Sequence, residues 1–314
     1  MSRYILTRLL LAIPSLFLAA VAVFAIIRLI PGDPVQIMMG ESGSAQQVAA
    51  VRESLGLDRS VPEQFLHWLG TILTGNLGAS IVNKEDVLEL VLDRAQVTAI
   101  VVFSAILLAS LVAIPLGLFA AWRQNSRLDF AAVASATLLL SFPSFWLGLL
   151  LLTLFGLKLG WLPVVGYVPL STDLSGGLRY LILPVVTLMA VEIGTLLRMA
   201  RSSATEVLRL EFVTHARAKG VPEWRVLFRH VLPNSFAPTW TVIGLVLGHL
   251  LGGIAVLETV FTLPGLGRLL VEAIFARDYP VVQGCLLFGA SSYILINLLV
   301  DLVYPVFDPR VSLE

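Results

Sequence analysis

Few residues in this 314-residue chain are placed to do covalent chemistry. A nucleotide-hydrolysing site needs a glycine-rich phosphate cradle ending in Gly-Lys-Ser/Thr. The only lysines are Lys84, Lys158 and Lys219, and none follows a glycine. The His-Glu-x-x-His, Gly-x-Ser-x-Gly and paired-cysteine patterns of metalloproteases, hydrolases and redox proteins are likewise absent from the sequence. Gly265-Leu266-Gly267 after Pro264 is a turn signal, too short to define a nucleotide site. The single Cys285 lies in an apolar run and reads as a small buried hydrophobe, leaving no disulfide framework and no cysteine metal site. His249 has no second histidine or carboxylate at helical spacing, so it is expected to pack and hydrogen-bond rather than hold a metal or relay protons. Glu192 and Arg198 are nearly two helical turns apart, within direct reach only through long side chains. Arg28, Glu258 and Asp301 fall near the ends of apolar runs, from which each is expected to reach the membrane interface.

The elements that carry these residues are membrane spans. The chain is 57% hydrophobic and 13% charged, against roughly 25% charged in a soluble domain, which excludes an ordinary cytosolic enzyme. Runs of about 20 uncharged residues cross a bilayer as helices, and six are marked, at about 9–30, 97–121, 130–157, 179–199, 237–257 and 281–305. Arg3 and Arg8 before the first run resemble the start of a signal peptide, with Ala20-Val21-Ala22 as a cleavage site. That run continues unbroken over 9–27, however, which is too long for a cleaved signal core and predicts an uncleaved first span.

The predicted fold is therefore an all-α integral membrane protein with six transmembrane helices. Arg3, Arg8, Arg123, Arg127, the dense run Arg198, Arg201, Arg209, Arg217, Lys219, Arg225 and Arg229, and Arg310 fall on one side; the short loops of the other side hold only Lys158, Arg179, Arg268 and Arg277. The positive-inside rule makes the first side, with both termini, cytoplasmic. Three regions follow: 1–30, the N-terminus and first span; 31–96, an extracytoplasmic insert; and 97–314, a five-helix core with a cytoplasmic loop at 201–235 and an extracytoplasmic loop at 259–280. The insert carries nine acids against four bases, and its interleaved Val48, Val51, Leu55, Phe65, Trp68, Leu69 and Leu73 predict short packed helices. Net charge is zero, so nothing points to a nucleic-acid partner; membrane lipid is the evident one. Pro14, Pro115, Pro143 and Pro184 lie inside spans, where each can kink a helix. Gly244, Gly248 and Gly252 at four-residue spacing predict close approach of another helix.

The 201–235 loop reads as two helices with a break. Gly220 supplies a left-handed stop, and Pro222 suits the first turn of a second, amphipathic helix with Val221, Trp224, Leu227, Phe228 and Val231 on one face, closed by Pro233. From these residues alone, a basic helix resting on anionic headgroups and a protein-docking hairpin are both open readings.

Thr-His-Ala-Arg-Ala-Lys-Gly at 214–220, followed after nine residues by His230, Val231, Leu232 and Pro233, resembles the cytoplasmic loop of bacterial ABC importer permeases: a Glu-Ala-Ala triplet, three residues, Gly, nine residues, Ile-x-Leu-Pro. Gly220, Leu232 and Pro233 match in register; Thr214 and His215 depart from the Glu-Ala start, and Ala-Arg-Ala-Lys-Gly is the form of the dipeptide, oligopeptide, glutathione and nickel subclass. Leu29-Ile30-Pro31-Gly32-Asp33-Pro34, Leu55-Gly56-Leu57-Asp58, Gly160-Trp161-Leu162-Pro163, Pro264-Gly265-Leu266-Gly267 and Arg277-Asp278-Tyr279-Pro280 are similar to that subclass too, specifically to the first of its two paired permeases.

The resemblance implies a transport subunit that is not itself an enzyme and binds no cofactor. ATP and Mg would sit on two separate cytoplasmic ABC ATPases, with a second homologous permease and an extracytoplasmic solute-binding protein completing the assembly in the inner membrane. It also implies that Val213, Thr214, His215, Ala216, Arg217, Ala218, Lys219, Gly220, Leu232 and Pro233 form the ATPase-coupling segment, with Arg217 and Lys219 meeting ATPase carboxylates and Trp224 and Phe228 anchoring the hairpin. The outer insert and the 259–280 loop would be docking surfaces for the binding protein. The alternative is an ion-coupled secondary transporter, which predicts paired buried ionisable groups and inverted repeats that the sequence does not display.

Overall fold

The computed structural model describes residues 2–29 and 58–307. Part of the predicted insert, with Pro31-Gly32-Asp33-Pro34 and Leu55-Gly56-Leu57, lies outside the described residues, as does Arg310. The described residues form helices joined by turns and loops, with one isolated two-residue bridge between Ala79 and Asp86.

Helix α1 (Ser2–Leu29) carries Pro14 within it and lies against the last helix, α11 (Tyr279–Phe307). The pairing is antiparallel. Arg8 reaches the Asp301 carboxylate at 3.1 Å, and the Tyr4 hydroxyl donates to the Asp301 carbonyl at 3.0 Å. Helix α2 (Val61–Leu73) starts on a capping box between Ser60 and Glu63 and packs Phe65 and Trp68 on Phe24 of α1, with ring centroids 5.1 and 5.4 Å apart. The short packed helix expected in this region is therefore present at its described end.

Helix α3 (Val87–Trp122) begins well upstream of residue 97, because Asp86 accepts from the Leu88 and Glu89 amides and caps it there. At 36 residues it is about 54 Å long, more than the roughly 30 Å of hydrocarbon, so it projects beyond the bilayer. It packs most extensively against α6 (Leu174–Val207). The two backbones approach at Gly117, where a Cβ would lie 2.8 Å from the Leu197 carbonyl oxygen. Asp173 caps α6 through the Ser175 and Gly176 amides, and these hydrogen bonds hold its carboxyl below the usual carboxylate range.

The predicted third span is not one helix. Helix α4 (Arg127–Ser141) and α5 (Ser144–Lys158) meet at 95° across Phe142-Pro143. Phe142 adopts φ −93°, ψ 130°, the extended conformation that a following proline imposes. Pro115 and Pro184, by contrast, lie within continuous helices. Five single helices are long and apolar enough to cross a membrane, and the bent pair makes a sixth. The contact between the start of α1 and the end of α11 puts both on one side, which requires an even number of crossings and so counts the bent pair as one.

Beyond the hairpin described below, α8 (Glu223–Leu251) forms the fifth span and ends at Gly252-Gly253, short of the predicted residue 257. The glycine stripe serves close packing, as expected: added Cβ atoms at Gly244 and Gly248 would meet Val300 and Tyr293 of α11, and one at Gly289 of α11 would meet Gly252. The predicted 259–280 loop contains the end of a short helix, α9 (Ala255–Val260), and the whole of α10 (Leu266–Ala276).

Two carboxylates tie this outer region together. Glu258 is buried rather than at the interface, because it caps α10: it accepts from the Arg268 amide at 2.8 Å and from the Thr98 hydroxyl at 2.6 Å, while Thr98 accepts from the Leu266 amide. Asp278 is buried too and accepts from the Ser80 hydroxyl at 2.5 Å and the Ile81 amide at 3.1 Å, joining the turn before α3 to the start of α11. Cys285 is buried among apolar neighbours, as its context predicts. His249 is exposed on α8 rather than packed, with no hydrogen bond among the described residues.

Candidate functional site

The 201–235 segment folds as a hairpin on the end of the bundle where α3 and α6 terminate. Its first arm, α7 (Glu211–Ala218), is a two-turn helix; Lys219 closes it, and Gly220 reverses the chain with φ +75°. That is the left-handed conformation predicted for it, and open space surrounds the position where a Cβ would stand. The second arm is the beginning of α8. Its first residues, Glu223–Arg225, are α-helical; Val226–Val231 then form a π-helical turn that runs directly into the span.

Pro233 therefore does not close a helix, contrary to the sequence expectation. A proline ring inside a helix collides with the carbonyl four residues back, and the wider π turn immediately upstream relieves that collision while the chain stays helical. The same turn shifts the buried face. Val226, Leu227 and Val231 are buried, whereas Trp224 is 61% exposed and Phe228 45% exposed. Trp224 thus does not anchor the hairpin, and Phe228 makes only an edge-on ring contact with Phe119 of α3, 6.3 Å between centroids.

The anchor is aliphatic. Val213 and Ala216 from the first arm and Val226, Leu227 and Val231 from the second pack with Leu118 and Ala121 of α3 and Ala204 and Val207 of α6. Burying each large aliphatic side chain contributes about 1.5–3 kcal/mol. Above this cluster sits a polar clamp. Arg217 donates to Glu223 through Nε at 2.8 Å and through Nη2 at 3.2 Å, and Trp122 Nε1 at the end of α3 donates to Glu223 at 3.0 Å. The Arg217–Glu223 pair is half-exposed, and such pairs contribute about 0.2–1 kcal/mol. The cluster consequently holds the hairpin on the bundle, and the clamp sets its direction.

The predicted site residues thus divide into two groups. Val213 and Ala216 face inward, and Leu232 is half-buried against the same cluster. Thr214, His215, Ala218, Lys219, Gly220 and Pro233 are exposed. Arg217, expected to meet a partner's carboxylate, is bound instead to Glu223 of its own hairpin. Glu223 is the partner of Arg217 that the sequence reading missed; its signal was a carboxylate six residues beyond Arg217, across a glycine turn that brings the two arms together. No comparable signal marks the second inner clamp. Asp129, buried at the start of α4, accepts from Arg201 Nε at 2.5 Å and Nη2 at 2.8 Å and from the Asn125 amide at 2.9 Å. This pair links two helices 72 residues apart in the chain.

Such an arrangement can transmit force. The hairpin exposes a polar tip and shares one apolar cluster with the ends of α3 and α6. Among the described residues, no group of three or more His, Cys, Asp or Glu side chains could hold a metal ion.

Residues 113–313 match the family described as binding-protein-dependent transport system inner membrane component, and residues 1–102 match the corresponding N-terminal family. The chain is 39% identical over 311 residues to a probable peptide ABC transporter permease protein of Sinorhizobium fredii, covering 99% of each chain. It is 40% identical over 314 residues to a putative peptide transport system permease protein of Brucella suis, covering all of both. A glutathione transport system permease protein of Salmonella typhimurium is 40% identical over 311 residues, again 99% of each chain.

Proposed function

The chain belongs to the family of binding-protein-dependent transport system inner membrane components, the permeases of ABC importers, and from that premise we propose that it admits small peptides, glutathione among them. The relatives' names favour peptides over nickel ion. Family membership also replaces the ion-coupled secondary carrier with a subunit driven by ATP hydrolysis elsewhere.

In this reading the chain forms half of the pathway with a second, homologous permease, and two cytoplasmic ABC ATPases carry the ATP and Mg. An extracytoplasmic binding protein delivers the solute to the surface made by the insert and the 259–280 loop. The chain itself catalyses no reaction. Both termini face the cytoplasm.

One observation carries the mechanism: the hairpin around Gly220 presents Thr214, His215, Ala218 and Lys219 outward while Val213, Ala216, Val226 and Leu227 fasten it to the inner ends of α3 and α6. The tip seats in a groove of one ATPase. Closure of the ATPases around ATP then drives the hairpin as a lever and biases the helices toward the outward-open arrangement, and hydrolysis resets them. Lys219 supplies charge for an ATPase carboxylate; Arg217 holds the lever straight. The test is reconstitution in proteoliposomes with the neighbouring transporter subunits, measuring ATP-dependent uptake of trialanine, glutathione and nickel ion. Uptake of either peptide that stops when the ATPases are omitted is expected. Uptake by the chain alone, driven by an ion gradient, would overturn the reading.

A further inference from the structure

We propose that a cleft between α4, α6 and α8 binds the terminal carboxylate of the passing peptide, with Arg198 as the receiving cation; this rests on the peptide-importer reading above. The cleft has a volume of about 620 Å³, within the range of small-ligand sites. Val133 and Leu140 of α4 and Val242 of α8 give it apolar walls, and Thr195, Arg198 and Ser202 line it from α6.

Charge within the cleft is unbalanced in one direction. Arg201, one turn along from Arg198, also lines it, but the bidentate contact with Asp129 already answers that charge. Arg198 is exposed and has no carboxylate partner among the described residues. Glu192, the carboxylate upstream on the same helix, is buried and forms no ion pair with Arg198. Arg198 stands at the end of its apolar run, exposed, so its charge is available to an anion that enters the cleft.

The geometry suits a carboxylate. A guanidinium presents a planar fork that matches both carboxylate oxygens, which an ammonium does not. Thr195 and Ser202 stand three residues before and four after Arg198, on the same helix face. Their hydroxyls have no hydrogen-bond partner among the described residues and are free to donate to the ligand. Every peptide ends in a carboxylate whatever its side chains, so this contact together with unspecific apolar walls accepts a class of substrates rather than one member.

The test uses the complete transporter in proteoliposomes, with radiolabelled trialanine and glutathione as probes. Each probe is delivered by the same wild-type binding protein, so that only the permease differs. Arg198→Gln is expected to lower uptake per ATP hydrolysed by about tenfold or more, the loss of a charged hydrogen-bonded contact. Arg198→Lys, which keeps the charge without the fork, is expected to lose roughly threefold. A Thr195→Val, Ser202→Ala double variant should show a smaller loss and give the same reading if Arg198→Gln does not accumulate. Unchanged uptake per ATP in Arg198→Gln, or in the double variant where that must stand in, overturns the proposal. So does failure of Arg198→Gln to copurify with the second permease, which would make Arg198 an inter-subunit ion-pair residue. Wild-type transporter that moves neither probe would instead refute the peptide assignment itself.

Discussion

Gly220 turns the hairpin at φ +75° with open space around it, so any penalty for replacing it comes from the backbone and not from a clash. A residue with a Cβ pays roughly 1–2 kcal/mol in that conformation, and β-branching adds to the strain. Gly220→Val should therefore leave the complex assembled yet lower uptake per ATP hydrolysed, whereas Gly220→Asn should be much milder; normal transport by the valine variant at normal abundance would remove the turn from the coupling path. Arg217 makes a different prediction now that its partner is known. Arg217→Glu places two carboxylates together beneath Trp122 and should reduce copurification of the ATPases severalfold. Adding Glu223→Arg should restore part of it, but not all, since the Trp122 indole would lose its acceptor. If the double variant copurifies no better than the single one, Arg217 acts on the partner directly.

At the scale of elements, α10 depends on a side chain that is not its own. Its first amides are satisfied by Glu258 and Thr98, which belong to α9 and α3, and Glu258 is almost wholly buried. Glu258→Ala would leave the Arg268 amide without its acceptor and the Thr98 hydroxyl with only the Arg94 carbonyl at 3.4 Å, a loss of about 1–3 kcal/mol. Thermal denaturation of the detergent-purified complex should register it as a clear fall in midpoint, with Glu258→Gln lying between; an unchanged midpoint would mean that water replaces the carboxylate. The hairpin obeys a related logic. Its aliphatic residues were readable as an amphipathic pattern, but the π turn over Val226–Val231 re-aims that pattern, burying Val226 and exposing Trp224. A period of 3.6 residues cannot anticipate a turn of wider pitch.

Across the whole molecule, the pairing of Arg8 with Asp301 and of Tyr4 with the Asp301 carbonyl brings the first and last helices together end to end, and from the basic residues on that side we propose that it faces the cytoplasm. Reporter domains fused at the two ends should both be cytoplasmic; opposite locations would require the α4–α5 pair to turn back without crossing. The sequence by itself determined the number and order of apolar segments, the left-handed turn at Gly220, the glycine-mediated packing of α8 and the kinship carried by the 214–233 motif. These are legible because hydrophobicity, charge asymmetry and backbone freedom act locally along the chain. Only the tertiary structure decided that the third span is bent by 95°, that Glu258 is a buried cap, that Arg217 is already engaged, and that Asp129 spends its charge on Arg201 and leaves Arg198 to face the cleft. Each of those depends on which distant side chain a polar group meets, and in a medium without water that meeting sets the energy of the group.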